Sequence, residues 1–227
     1  MRALEYIGPV PLTSALLGFA AVAALMTLIP GIDTALVLRT SITKSRQAGF
    51  ATALGIQTGV LFWGAAAGLG ATAVLAASET AYRIMTLAGA AYLAWMGIAM
   101  VVKTFSRHNQ TYAEGNATEQ QANRLVRGGA WRGWTTGLIT NLLNPKVGVF
   151  YLATIPQFMA ADVAPLAMGL LLAAVHVACG VIWCSILVLG GSALGSRLKS
   201  AAFVTWLDRI TGGILIAFGA KLAWDVR

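Results

Sequence analysis

Long apolar stretches follow one another along this chain, joined by short polar segments. Charge-free windows cover residues 10–32, 47–78, 84–102 and 163–196, and each is long enough for a helix of roughly 20 residues to cross a bilayer. Two more windows carry a single lysine each: 133–159 is interrupted by Lys146, and 210–224 by Lys221, which lies near an end where its long stem can reach the headgroups. The pattern predicts six transmembrane helices. The first window is longer than the apolar core of a signal peptide and continues past Pro30, so it reads as a retained span.

Composition agrees with the pattern. The 227 residues are 58% hydrophobic and 11% charged, with a mean hydropathy of +0.74, which places the chain among integral membrane proteins. The net charge of +8 is therefore an orientation signal and not the footprint of a nucleic-acid partner. Arg39, Lys44 and Arg46 follow the first window. Lys103, Arg107, Arg124, Arg127 and Arg132 flank the third connection, and Arg197, Lys199 and Arg209 lie between the fifth and sixth windows. These joints are expected to face the cytoplasm. The other side receives Arg2, Arg83, Lys221 and Arg227 against Glu5, Glu79, Asp162 and Asp225. Both termini are thus expected on the outer side.

One long polar segment, about 105–130, has few large apolar residues and reads as a cytoplasmic linker. It separates half one, about 10–104, from half two, about 131–227, within a single transmembrane domain. His108 and the sequon Asn116-Ala117-Thr118 fall in this linker and carry no expected role. With three spans on each side, the halves enter the membrane from opposite faces, the outline of an inverted-topology repeat. Their first helices carry matching interruptions: Pro30-Gly31-Ile32-Asp33 in one, Asn144-Pro145-Lys146 in the other. Proline inside a helix removes a hydrogen bond and frees carbonyls, and such backbone survives in a membrane only when buried in protein or lining a wet cavity.

Each interruption also carries one charge. An ionised group at that depth costs at least about 2.5 to 3.5 kcal/mol, so Asp33 and Lys146 are candidates for a functional site with each other as partners. Two plainer readings stand beside it: a structural ion pair, or side chains that reach the interface. Asn141 and Asn144 either orient a substrate or satisfy freed backbone groups. Gln57 and Gln157 are weaker candidates, and Gln57 suits an interhelical hydrogen bond. His176 is a candidate for proton coupling, because imidazole titrates near physiological pH, with a neutral hydrogen-bonded ring as the alternative.

Gly55/Gly59, Gly64/Gly68 and Gly191/Gly195 are spaced for close helix approach, within the bundle or in a homodimer. Cys179 and Cys184 fall on different faces of one helix, so no disulfide or metal site is expected. Trp131, Trp134, Trp206 and Trp224 fall near span ends, where an aromatic belt would place them. No enzyme signature is present and no cofactor is expected.

PGID at 30–33, GFATALGIQTG at 49–59, LAGAAYLAWMGIAM at 87–100, NLLNPKVGVFYLATIPQF at 141–158 and GGILIAFGAKLA at 212–223 together resemble the LysE/RhtB superfamily of bacterial amino-acid exporters. That family usually has proline where this chain has Ile32. The resemblance implies a secondary transporter in the bacterial inner membrane that exports amino acids or related small zwitterions, driven by the proton motive force. On this reading Lys146 and the N-terminal amides of the following half-helix hold the substrate carboxylate. Asp33 takes either the substrate ammonium or a proton, with Pro30, Gly31 and Pro145 shaping the site. A membrane scaffold or accessory subunit, or a passive channel, is the alternative. Among amino acids, neutral ones fit better than basic ones, because the spans are expected to hold no second carboxylate.

Overall fold

The computed structural model describes residues 11–29, 31–106, 130–160, 162–198 and 201–225. Among them the elements are all helical. α1 spans Leu12–Leu28, α2 Ile32–Thr43, α3 Arg46–Ala77 and α4 Glu79–Ser106. After the central segment come α5 at Ala130–Leu142 and α6 at Pro145–Thr154, which runs into a 3₁₀ turn at Ile155–Phe158. α7 at Pro165–Leu198 and α8 at Ala201–Asp225 complete the order. Residues 107–129, with His108 and the sequon, lie outside the described residues.

Both expected interruptions are real bends, and their angles match. α1 and α2 meet at 57°, α5 with α6 and its 3₁₀ turn at 56°. The cause is local. A residue before proline is pushed out of the helical region, and Ile29 (φ −65°, ψ 117°) and Asn144 (φ −79°, ψ 105°) are both extended. Past the first bend, Gly31 is also extended and leads into α2 without a side-chain cap. Past the second, Asn144 caps α6 through its side chain and Pro145 occupies the first turn, where a missing N–H costs nothing.

Glycines set how closely the helices approach. A Cβ on Gly97 of α4 would stand 2.5 Å from the carbonyl oxygen of Gly212 in α8, and one on Gly212 would stand 2.7 Å from that of Gly97. α3 meets α7 in the same way, with a Cβ on Gly64 falling 2.6 Å from the carbonyl oxygen of Gly169. Earlier in α3, Gly55 lies against the Trp134 backbone and Gly59 against the Asn141 side chain, both of α5. Gly55/Gly59 and Gly64/Gly68 are therefore contacts inside the bundle. Gly191 is different: nothing lies near its missing Cβ, and at φ +48° it kinks α7 in the left-handed region that favours glycine.

An aromatic cluster joins α1 to α6 and its 3₁₀ turn. Phe19 of α1 packs against Phe150, Tyr151 and Phe158, the last edge-to-face at 5.6 Å.

Among the described residues three helices are long and apolar enough to cross a membrane: residues Arg46–Gly70 of α3, Thr86–Phe105 of α4 and Pro165–Gly191 of α7. Counting each bent pair as one span gives five. The sixth expected span corresponds to α8, whose 25 residues suffice in length but include Asp208, Arg209 and Lys221. Here the sequence expectation needs correction. Charge pattern puts Arg209 in the joint before the last span, yet helix begins at Ala201, so Asp208 and Arg209 lie two turns inside it. Asp208 is buried, and Arg209 Nε donates to Thr104 Oγ1 on α4 at 3.0 Å while its guanidinium lies over the Phe105 ring.

Candidate functional site

The two bends meet around a cavity of about 70 Å³. Gly31 and Asp33 reach it from the start of α2, Asn141 and Asn144 from the second bend, and Lys146 from the first turn of α6. Asp33 and Lys146, one from each bend, thus line the same cavity. Pro30 lies outside the described residues; Pro145, at the head of α6, shapes the bend.

Asp33 and Lys146 are not joined as a direct ion pair. They are within electrostatic reach of each other, but Asp33 Oδ2 instead accepts from Asn141 Nδ2 at 3.0 Å and from Asn144 Nδ2 at 3.4 Å. The Lys146 ammonium lies against the first bend, 3.8 Å from where a Cβ on Gly31 would sit. Its second electrostatic partner is Asp208 of α8. This is a second buried carboxylate in a helix where the charge pattern leads one to expect a loop; a helical continuation of the last apolar window back through Trp206 would have found it.

The asparagines do more than either role foreseen for them. Asn141 is almost fully buried and clamps Asp33. Asn144 serves both bends, donating to Asp33 and accepting from the backbone N–H of Lys146 at 3.1 Å. Its carbonyl oxygen also accepts from Val147 and Gly148, each at 3.1 Å. The first amides of α6 are thus engaged by Asn144. The Asn-Pro pair is a helix-start signature that could have signalled this capping. At the other bend no side chain caps α2 among the described residues, so the electropositive terminus facing the cavity is that of α2.

α3 and α7 supply the remaining walls. His176, Gly180, Trp183 and Cys184 form one face of α7, at helical spacing. Gln57 of α3 lies across from them, its amide against Gly180 and its Nε2 3.9 Å from Cys184 Sγ. His176 is buried and its Nδ1 is 3.0 Å from the Tyr151 hydroxyl, with the two rings stacked. This fits the hydrogen-bonded alternative for His176 while leaving its ring at the cavity. Gln157 sits on the 3₁₀ turn and does not line the cavity. Met26, Ile56, Val60 and Val147 make the rest of the lining apolar.

Three polar atoms of cavity-lining residues are buried with no hydrogen-bond partner among the described residues: the acceptors Asp33 Oδ1 and Asn141 Oδ1, and the donor Trp183 Nε1. Asn141 Oδ1 is the atom nearest to where a Cβ on Gly59 would sit. Trp183 is not distinguishable in the sequence, because one tryptophan in an apolar helix carries no signal of its own.

Comparison with known families decides the class. The family described as LysE type translocator matches residues 24–226. The chain belongs to that family. LysE translocators move solutes and are not enzymes. The chain is 29% identical over 207 residues to the uncharacterized membrane protein YrhP of Bacillus subtilis (strain 168), covering 91% of this chain and 97% of that one. It is 25% identical to the threonine efflux protein of Escherichia coli (strain K12), with 88% and 92% covered. Against the leucine efflux protein of Enterobacter sp. (strain 638) it is 28% identical, with 87% and 90% covered. No solved structure matches this LysE translocator.

Proposed function

We propose that this LysE translocator is a secondary transporter that exports amino acids or related small zwitterions from the cytoplasm by proton antiport. In this reading it sits in the bacterial inner membrane with both termini outside, as six spans in two inverted three-helix repeats. The matched bends of 57° and 56° support the repeat. So does the pairing of α3 with α7 and of α4 with α8, each through facing glycines.

The observation that carries the reading is one cavity, at the meeting point of the two bends, that holds a carboxylate and an ammonium out of contact with each other. Opposite charges held apart inside an apolar bundle complement the two ends of a zwitterion. Lys146, beside the start of α2 that no side chain caps, takes the substrate carboxylate. Asp33, with Oδ2 held by two asparagines and Oδ1 open, takes the substrate ammonium or a proton, but not both at once. That exclusion is the simplest coupling device for antiport.

A structural reading has its own support, since the asparagines lock Asp33 to the second bend. Efflux separates the two. Cells preloaded with a panel of radiolabelled amino acids and expressing matched amounts of wild type, Asp33→Asn or Lys146→Ala are followed over time. The transporter reading expects faster loss of at least one amino acid with wild type only. Normal export by both variants, or no substrate exported by wild type, overturns it.

A further inference from the structure

We propose that Trp183 is a substrate-contacting residue, its indole N–H donating to the carboxylate of the bound zwitterion alongside the Lys146 ammonium, a role that rests on the zwitterion reading of the cavity. A carboxylate presents four lone-pair sites and is bound well only by several N–H groups. The α6 amides that a helix start would offer are already taken by Asn144, and one N–H of each asparagine Nδ2 is committed to Asp33. Gln57 Nε2 faces the Cys184 sulfur. Lys146, beside the uncapped start of α2, is then one source of donors, and Trp183 Nε1 is the buried side-chain donor of the lining left without a partner among the described residues.

Placement supports the assignment. Trp183 stands one turn beyond Gly180 on the α7 face that lines the cavity, between His176 and Cys184. Trp183 packs against the apolar cluster that includes Val37, Ile56 and Leu187. A buried donor that stays unpaired is unfavourable, and one that faces a cavity can be completed by what the cavity binds. Asp33 Oδ1 is the open carboxylate oxygen in the same lining. An open donor and an open anionic acceptor correspond to the two ends of an amino acid.

The test uses inside-out membrane vesicles and uptake of radiolabelled L-leucine, L-threonine and L-homoserine, with each amino acid and its decarboxylated amine as competitors. If Trp183 reads the carboxylate, Trp183→Phe raises the KM for the amino acid about tenfold, the scale of one hydrogen bond to a charged group. Inhibition by the amine stays within about twofold, so discrimination between the two shrinks. An unchanged KM, or equal weakening of amino acid and amine, overturns the proposal and makes Trp183 a packing residue. Should Trp183→Phe not accumulate, benzothienylalanine incorporated at this position keeps the ring size and removes the N–H, and the same two outcomes apply. Wild-type vesicles that take up no amino acid overturn the exporter reading itself; wild-type uptake with unaltered discrimination in the variant overturns only the role of Trp183.

Discussion

Asn141 Nδ2 donates to Asp33 Oδ2 at 3.0 Å, so a carboxamide at the inner end of one bend holds the carboxylate of the other. A hydrogen bond to a charged group contributes about 1.5 to 3 kcal/mol. Asn141→Asp sets a second carboxylate against the first and is expected to lower the melting temperature in detergent and cut efflux at least tenfold. The exchanged pair, Asp33→Asn with Asn141→Asp, restores one carboxylate and one carboxamide. Its melting temperature should rise above that of Asn141→Asp alone; if it does not, this bond is not what joins the bends.

Gly59 stands behind Asn141. A Cβ there would fall 2.5 Å from Asn141 Oδ1 and 3.0 Å from its Cβ and Cγ. Gly59→Ala should therefore push the carboxamide off Asp33 and reduce efflux about as much as loss of Asn141 itself. Gly213→Ala, where nothing lies within 4 Å, should leave efflux intact and raise stability by up to about 1 kcal/mol through helix propensity. Equal behaviour of the two variants would count against a packed clamp.

The bends are legible in the sequence because proline and ionised side chains are costly inside apolar windows and persist there only where a helix breaks or a site needs charge. Asp33 and Lys146 do meet at one cavity. Less visible are the groups that make the site specific. His176 stands out as an ionisable group, but its partner Tyr151 sits in a different helix, and only the packing of α6 on α7 brings the two rings together. Asp208 is hard to place because polar residues near a charged joint read as loop, although it lies two turns inside α8. Trp183 gives no sign at all, since a tryptophan facing lipid and one facing a cavity look the same in sequence.

Asn144 combines a helix cap with a contact to Asp33, and the two functions can be separated. Asn144→Ser retains an acceptor for the Lys146 N–H but is too short to reach Asp33. Asn144→Ala loses both, and losing the cap costs about 1 kcal/mol. Thermal unfolding in detergent should rank wild type above serine above alanine. A serine variant as unstable as alanine would show that the cap contributes little.

Tyr151→Phe removes the hydroxyl that meets His176 Nδ1 at 3.0 Å and leaves that nitrogen buried without a partner. The expected cost is about 1 to 3 kcal/mol, read as a lower melting temperature with the ring packing otherwise kept. If His176→Gln retains export against a gradient, the imidazole is not needed for coupling and the pair is a structural one.

Gly97 and Gly212 leave no room for a side chain where α4 crosses α8. Gly97→Val should destabilise by about 1 to 3 kcal/mol through overpacking. Size-exclusion chromatography of the purified variant should show the oligomeric state of wild type, because the contact lies inside the bundle; a change in that state would place this glycine at an interface between copies.

The way Asn144 engages the first amides of α6 has a consequence for how the second bend can respond to its surroundings. A peptide dipole is fixed to the backbone, whereas an ammonium rides on a four-carbon stem with several rotatable bonds. With the first amides of α6 already answered by their own cap, the positive character this bend contributes rests on the Lys146 side chain. The second bend thus offers a charge that can follow a solute by changing rotamer, where a bare helix start would have offered one tied to the backbone.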